Sequence, residues 1–133
     1  MPLPRNEVDV RRRPLLPCHL LLAHCPPSGS PLCLCYHGMH AGSDAIRDRL
    51  SEPCTRAMAC GHIHESAGFD IISGVACLNA GSLGIPFGSP QYGWIELEPH
   101  VTRLGHTLLQ GPSPTTRTAE HMLVSSPARP AAP

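Results

Sequence analysis

Residues 56–79 read RAMACGHIHESAGFDIISGVACLN, and this stretch decides the fold. A short apolar strand over residues 56–60 runs directly into a loop that carries two histidines, His62 and His64. The apolar residues that follow are interrupted by a Ser73-Gly74 pair, which is typical of a tight turn between two strands. The stretch therefore predicts a strand that ends in a histidine-bearing loop and is followed by a β-hairpin.

The segments on either side add one helix and further strands. LLPCHLLLAHC, residues 15–25, reads as a buried strand that Pro26-Pro27 stops. SDAIRDRLSEP, residues 43–53, has Ser43 as an N-cap and a proline after its end, which indicates a helix. QYGWIELEP alternates like a half-buried strand, and a weaker strand is predicted over Val101–Leu109. The order of elements predicts a mixed α/β fold with a mixed sheet and one clear helix.

The composition excludes some classes of function. Ten basic residues, all arginine, balance ten acidic residues, so no net field favours nucleic acid or an anionic membrane. No apolar run approaches the roughly 20 residues of a transmembrane helix, and no clean export signal is present. Seven cysteines without a C-x-x-C pair fit a reducing, intracellular and most simply cytoplasmic setting.

Composition also divides the chain. Residues 110–133 are rich in Pro, Ser, Thr and Ala and are predicted to form a disordered tail. Residues 1–14 are predicted to be a disordered N-terminal segment for the same reason. The folded domain is expected to span residues 15–109.

The histidine pattern points to metal chemistry. In an extended backbone His62 and His64 would face one way about 7 Å apart, which suits two ions about 3.5–4 Å apart better than one. Two ordinary loop histidines are the alternative. His24 also follows an apolar strand, where α/β proteins present functional groups, although a ring capped by loop carbonyls would look the same in sequence. Two strand ends that both deliver histidine favour a shared site.

Four segments in order resemble the C-terminal half of the calcineurin-like metallophosphoesterases: LLLAHCPPSG, HGMHAGSDAIRDRL, ACGHIHESAGFDIISGVACLNAGSLG and QYGWIELE. The resemblance implies part of an αββα sandwich and metal-dependent hydrolysis of a phosphoester substrate. It also implies a dinuclear centre of manganese, iron or zinc. His24 and His62 would be ligands of one metal, and His64 a ligand of its neighbour.

The sequence departs from the family pattern in a way that bears on activity. The D-x-H, G-D and G-N-H-D/E motifs of the family, which supply its remaining ligands, do not occur in this chain. Three imidazoles shared between two dications would leave both underligated and their repulsion uncompensated. We therefore expect a truncated, incomplete domain of this family that does not assemble the full two-metal centre as it stands, which leaves its enzymatic activity open. A single zinc ion held by the three histidines, with Glu65 as a base, is a further hypothesis.

Other polar residues are weaker candidates. His40 matches the resemblance better than His37, although both would also suit a solvated loop. Glu65 could orient a ligand ring or be a surface acid, and Asn79 and Ser82 could shape a turn near the substrate. An interaction module without catalysis is the alternative function, because an uncovered sheet would permit self-association.

Overall fold

The computed structural model describes residues 17–82 and 88–123 as two β-sheets with one α-helix. The elements, in chain order, are β1 (Leu20–Leu22), a 3-10 turn (Pro31–Cys33), α1 (Asp44–Arg49), β2 (Ala57–Cys60), a 3-10 turn (His64–Ser66), β3 (Gly68–Ile72), β4 (Val75–Asn79), β5 (Gln91–Leu97), β6 (Val101–Leu108) and β7 (Thr115–Met122). The predicted N-terminal segment, residues 1–14, lies outside the described residues.

The first sheet has the strand order β1-β2-β4-β3 and is mixed. β1, β2 and β4 run parallel, while β3 is antiparallel to β4. The predicted hairpin is confirmed, since Ser73 and Gly74 join β3 to β4 with φ values of 52° and 75°. Positive φ at both central residues is the conformation of the two-residue hairpin turn. The mixed α/β class, with a mixed sheet and one helix, is thus confirmed.

Helix α1 covers one face of this sheet. Ser43 caps it as predicted, because its Oγ accepts a hydrogen bond of 3.1 Å from the Ile46 N–H. Ile46 and Leu50 then pack into a buried apolar cluster with Met58 and Cys77 from the central strands. This cluster is the core of the first layer.

The second sheet, of order β5-β6-β7, is antiparallel and packs on the opposite face of β3 and β4. The two sheets approach each other closely at Gly93, where a Cβ atom would come within 2.5 Å of Leu78 Cδ2. Leu104 of β6 is fully buried between the sheets. The lack of a side chain at position 93 therefore leaves room for the Leu78 side chain between the sheets.

Two features of this architecture correct the sequence analysis. Residues 115–122, placed in the predicted disordered tail, form β7 and pair with β6 along their whole length. The partner strand satisfies the backbone of a polar segment that has little apolar surface to bury. β1 is also not a buried strand: Leu20 is 38% and Leu22 72% exposed, since the second sheet covers β3 and β4 instead.

His106 lies between the two sheets, and its burial predicts that the protein loses stability in acid. The residue is 8% exposed, and its Nε2 has no hydrogen-bond partner among the described residues. Burial, followed by the nearby charge of Arg117, lowers the pKa of His106 below its ordinary value. The unfolded chain therefore binds more protons, so this stability is present above about pH 6.5 and is lost as the pH falls toward the folded-state pKa.

The measurement is the urea midpoint between pH 8 and pH 5 for the parent and for His106→Gln. The parent should lose more stability over this range than the variant, which cannot titrate at position 106. Equal slopes for the two proteins would contradict the assignment.

Candidate metal centre

The carboxyl ends of β1 and β2 bring two of the predicted histidines together. His24 follows β1, His62 follows β2, and the two strands are adjacent and parallel. The loops are joined by a hydrogen bond of 3.0 Å from the Gly61 N–H to the His24 carbonyl. Parallel strands present their carboxyl ends at one sheet edge, where α/β proteins place functional groups.

The two imidazoles are in direct contact. His62 Nδ1 lies 3.0 Å from His24 Nε2, and the ring centroids are 4.8 Å apart with an interplanar angle of 63°. Nitrogens of two imidazoles bound to one zinc ion lie about 2.9–3.4 Å apart, given Zn–N distances of about 2.0–2.1 Å. Without an ion this contact is a hydrogen bond between the two rings, and its length also matches the spacing of two neighbouring ligands of a single cation.

An open cleft of about 390 Å³ lies beside the pair. It is lined by residues 22–24 and 59–61, which are the ends of β1 and β2 with the first loop residues. His24 and His62 are both exposed, so an ion in solution can reach their ring nitrogens.

His62 holds an unfavourable backbone conformation. Its φ is 67°, in the left-handed region that β-carbon sterics disfavour at a cost of about 1–2 kcal/mol. The preceding residue is a glycine, yet Gly61 does not have a positive φ and the turn is made at His62. Strain at a non-glycine residue is common at functional sites, and here it brings the ring of His62 to His24.

Replacing His62 by glycine tests whether the backbone at this position is strained. His62→Gly should leave the free energy of unfolding unchanged or raise it by up to about 1 kcal/mol, because glycine adopts positive φ without strain. His64→Gly, at a position without positive φ, should lower it by about 0.5–1 kcal/mol. Urea unfolding of both variants checks this, and a clear loss in His62→Gly would contradict it.

His64 and Glu65 belong to the short 3-10 turn that follows. The Glu65 carboxylate accepts a hydrogen bond of 3.1 Å from the Tyr36 N–H. Backbone N–H groups, those of Glu65 itself and Tyr36, hold the pKa of Glu65 below its usual value, and the charges of His64 and His37 act in the same direction. Glu65 thus anchors the loop around Tyr36, and its lowered pKa makes it a weaker base.

The described residues contain no group of three His, Cys, Asp or Glu side chains placed to hold a metal ion. The structure therefore joins His24 to His62 but does not add His64 to this pair as a third ligand. His40 is also directed elsewhere, because its Nδ1 lies 3.4 Å from the Sγ of the buried Cys33.

Asn79 lies at the end of β4 and is fully buried. Its Nδ2 donates to the carbonyls of Ile63 at 2.8 Å, Leu32 at 3.2 Å and Ser66 at 3.3 Å. Its Oδ1 accepts from the Gly81 N–H at 3.1 Å. Asn79 therefore holds together the loops around the histidines.

Ser82 is 9% exposed, and its carbonyl accepts a hydrogen bond of 2.8 Å from the Gln91 N–H. This bond ties the segment after β4 to the start of the second sheet.

The chain shows only partial structural similarity to known proteins. No family model and no curated protein matches the chain. Vacuolar Protein Sorting 29 from Cryptosporidium parvum is similar at 15% identity and a TM-score of 0.49, over 59% of this chain and 44% of that chain. Wild-type Vps29 from Entamoeba histolytica, complexed with zinc, is similar at 15% identity and a TM-score of 0.48, over 59% and 46%.

The chain thus spans less than half the length of either of these proteins. TM-scores under 0.5 do not carry a family assignment, so its metallophosphoesterase-like character is a proposal that rests on its own residues. Within residues 17–82 and 88–123, no helix has the length and hydropathy needed to cross a membrane.

Proposed function

We propose that this chain is a metallophosphoesterase-like module that binds one divalent transition-metal ion through His24 and His62. The observation that carries the proposal is the 3.0 Å contact between His24 Nε2 and His62 Nδ1 at the ends of two parallel strands. Imidazole nitrogen suits zinc and the neighbouring transition metals better than magnesium or calcium.

The residues fit one ion and not the dinuclear centre of the family. Close dications need a bridging carboxylate to offset their repulsion, and the motifs that supply it do not occur in this sequence. A bound ion would polarise a phosphoryl oxygen and lower the pKa of bound water. His24 and His62 would hold its position, and the open cleft leaves the site in contact with solvent. Because the motifs that supply a second ion do not occur, we do not propose that this chain alone hydrolyses phosphoesters.

A second candidate function is that of an interaction module without catalysis. It is favoured by the apolar side chains on the face of β1, where Leu22 is 72% exposed, and by Tyr36 and Met39 in the loop near the site, 85% and 67% exposed. Exposed apolar side chains of this size are typical of contact surfaces where they form one contiguous patch. An intracellular setting belongs to both candidates, since cysteines such as Cys18, Cys35 and Cys54 are free thiols.

Calorimetric titration with zinc chloride tests the metal proposal. The parent should bind one ion per chain, and His24→Ala and His62→Ala should each lower the affinity at least tenfold. His100→Ala, at an exposed histidine in the turn between β5 and β6, is the matched control and should bind like the parent.

His64→Ala and a hydrolysis assay define the limits of the site. His64→Ala should bind zinc like the parent, whereas a loss equal to that of His24→Ala would establish a three-histidine site instead. With bis(p-nitrophenyl) phosphate, the loaded protein should not exceed the rate of free zinc. Two bound ions, or zinc binding that both alanine variants leave unchanged, would contradict the proposal.

A further inference from the structure

The outer face of the second sheet carries two neighbouring aromatic rings. Gly93 faces the first sheet, where a Cβ atom would meet Leu78, so Tyr92 and Trp94 on either side of it point to the opposite face. These two residues are 51% and 38% exposed. The indole of Trp94 lies over Gly105 of β6, where a Cβ atom would come within 2.5 Å of Trp94 Nε1. Part of the indole is therefore covered by the backbone of β6, and the rest is open to a ligand.

Carboxylates collect beside these rings at one end of the same face. Glu96, Arg103 and Glu120 lie side by side across the three strands. The Arg103 guanidinium donates to Glu98 and, at 2.7 Å, to Glu120, and its Nη1 lies 3.9 Å from the Glu96 carboxylate. The Arg56 guanidinium also reaches this end of the sheet, where it donates to backbone carbonyls. Three carboxylates against two guanidinium groups leave a net negative charge, which favours a further cation.

The segment that follows β7 has the complementary chemistry. Residues 124–133, which come after the described part of the chain, read VSSPARPAAP and are called the proline segment below. Pro127, Pro130 and Pro133 recur at every third position. A polyproline II helix has three residues per turn, so all three prolines fall on one edge of such a helix, and edges of this kind dock on aromatic surfaces. Arg129 lies off this edge, and its guanidinium can bind a carboxylate through two parallel hydrogen bonds.

The proline segment is long enough to reach the rings. Met122 ends β7 opposite Val101 of β6, whereas Trp94 of β5 lies opposite Gly105, four positions further along β6. With about 4.8 Å between strands and about 3.4 Å per residue, Met122 and Trp94 are about 17 Å apart. Pro130 follows Met122 by eight residues, which span about 25 Å as polyproline II. The surplus length allows the chain to turn back over the face, and the carboxylates lie between these two points.

We propose that the proline segment of this chain binds the outer face of its own second sheet as a polyproline II helix, with prolines against Tyr92 and Trp94 and Arg129 among the carboxylates. The occupant is this segment because it carries the proline period, the counter-charge and the length that the face requires. The inference goes beyond the metal site and is independent of it. A basic, proline-rich segment of another protein would bind the same face only by displacing residues 124–133.

Fluorescence of Trp94 tests the contact, because Trp94 is the single tryptophan of the chain. Acrylamide, an uncharged quencher, measures how far the indole is open to solvent. In the full chain, replacing Pro127, Pro130 and Pro133 together by glycine should raise the quenching constant about twofold, because the open side of the ring loses its cover. Equal quenching constants for the parent and this triple variant would overturn the inference.

The matched control replaces Pro112 and Pro114 by glycine, in the turn between β6 and β7. It removes prolines outside the proline segment and should leave the quenching constant unchanged, and a rise equal to that of the triple variant would overturn the inference. Circular dichroism and the urea midpoint of each variant separate loss of the contact from loss of the fold. Zinc binding by the triple variant should equal that of the parent, so the failure of one proposal leaves the other in place.

Reversing charges tests the position of Arg129. Arg129→Glu should also raise the quenching constant, because it places another carboxylate beside those already there. Combining Arg129→Glu with Glu96→Arg should restore the shielding, since the exchanged pair attracts again. Arg129→Glu that shields Trp94 as well as the parent does would overturn the placement of Arg129.

The identity of the occupant has its own test. Shielding should be the same over a hundredfold range of protein concentration, because the contact lies within one chain. Shielding that grows with concentration, together with a doubled mass in sedimentation, would place the proline segment of a second copy on the face and overturn the inference. The peptide VSSPARPAAP in large excess should restore shielding in the triple variant, whereas a peptide of the same composition with prolines at every second position should not. Equal effects of the two peptides, or none from the first, would overturn it as well.

Discussion

Asn79→Ala should lower the free energy of unfolding by about 3–5 kcal/mol and should be among the most damaging single substitutions in the chain. The Asn79 side chain is fully buried: the two N–H groups of Nδ2 are shared among three backbone carbonyls, and Oδ1 accepts from one backbone N–H. Each hydrogen bond is worth about 0.5–1.5 kcal/mol net, and the groups left unpaired add a desolvation cost. Urea unfolding measures the loss.

The cost should also reach the candidate metal centre. The carbonyl of Ile63, held at 2.8 Å, belongs to the residue after His62, so its release loosens the turn that positions His62. Zinc affinity of Asn79→Ala should fall even where the variant is still folded.

Asn79→Asp serves as a matched comparison. It keeps the shape but places a carboxylate oxygen against three carbonyl oxygens, and should be at least as unstable as the alanine variant. Thr118→Ala, on the exposed face of β7, should change stability by less than about 0.5 kcal/mol. A loss below about 1 kcal/mol in Asn79→Ala would contradict the role assigned to this side chain.

The parts of the fold that the sequence predicts well are those with local physical causes. The helix begins at Ser43 because a hydroxyl cap is a short-range effect, and the Ser73-Gly74 turn follows from two residues that tolerate positive φ. The strands around residues 57–60 and 75–79 are apolar runs between clear breaks. Each of these elements depends on residues within a few positions of each other.

The failures concern contacts between distant segments. Residues 115–122 have no apolar pattern, and only their partner β6 reveals them as a strand. The exposure of Leu22 could not be inferred from an apolar run, since it depends on which strands the second sheet covers. Composition describes what a segment could bury and does not say what neighbour it meets.

The candidate site divides in the same way. Its two histidines were predicted because each follows an apolar strand, and the parallel pairing of β1 and β2 then brings them into contact. The left-handed backbone of His62 has no signal in a sequence that offers Gly61 for the turn. The inward direction of Asn79 does have a signal in the sequence, because Asn79 follows the same every-second-residue alternation as the buried Val75 and Cys77.

Gly42→Ala should lower the free energy of unfolding by about 3 kcal/mol or more, which corresponds to a fall in Tm of roughly 10 °C. A Cβ atom at this position would lie 2.6 Å from Ser28 Cα and 2.7 Å from both Pro27 O and Ser28 N. These are backbone atoms, so no side-chain rotation relieves the overlap. Ser43 bonds across the same gap, its N–H donating to Pro26 at 2.9 Å and its carbonyl accepting from Ser28 at 3.1 Å.

Gly42→Ala should also weaken metal binding. The segment that must move to make room, Pro26–Ser28, closely follows His24. Gly61→Ala is the matched control: a Cβ there meets no atom within 4 Å and φ is not positive, so stability should be unchanged or rise by up to about 1 kcal/mol. Thermal unfolding followed by circular dichroism, with zinc titration of the folded fraction, compares the two variants. Equal Tm values for both would mean that the 26–28 and 42–43 segments are not held against each other. His24 would then owe its position to β1 and to the Gly61 hydrogen bond alone.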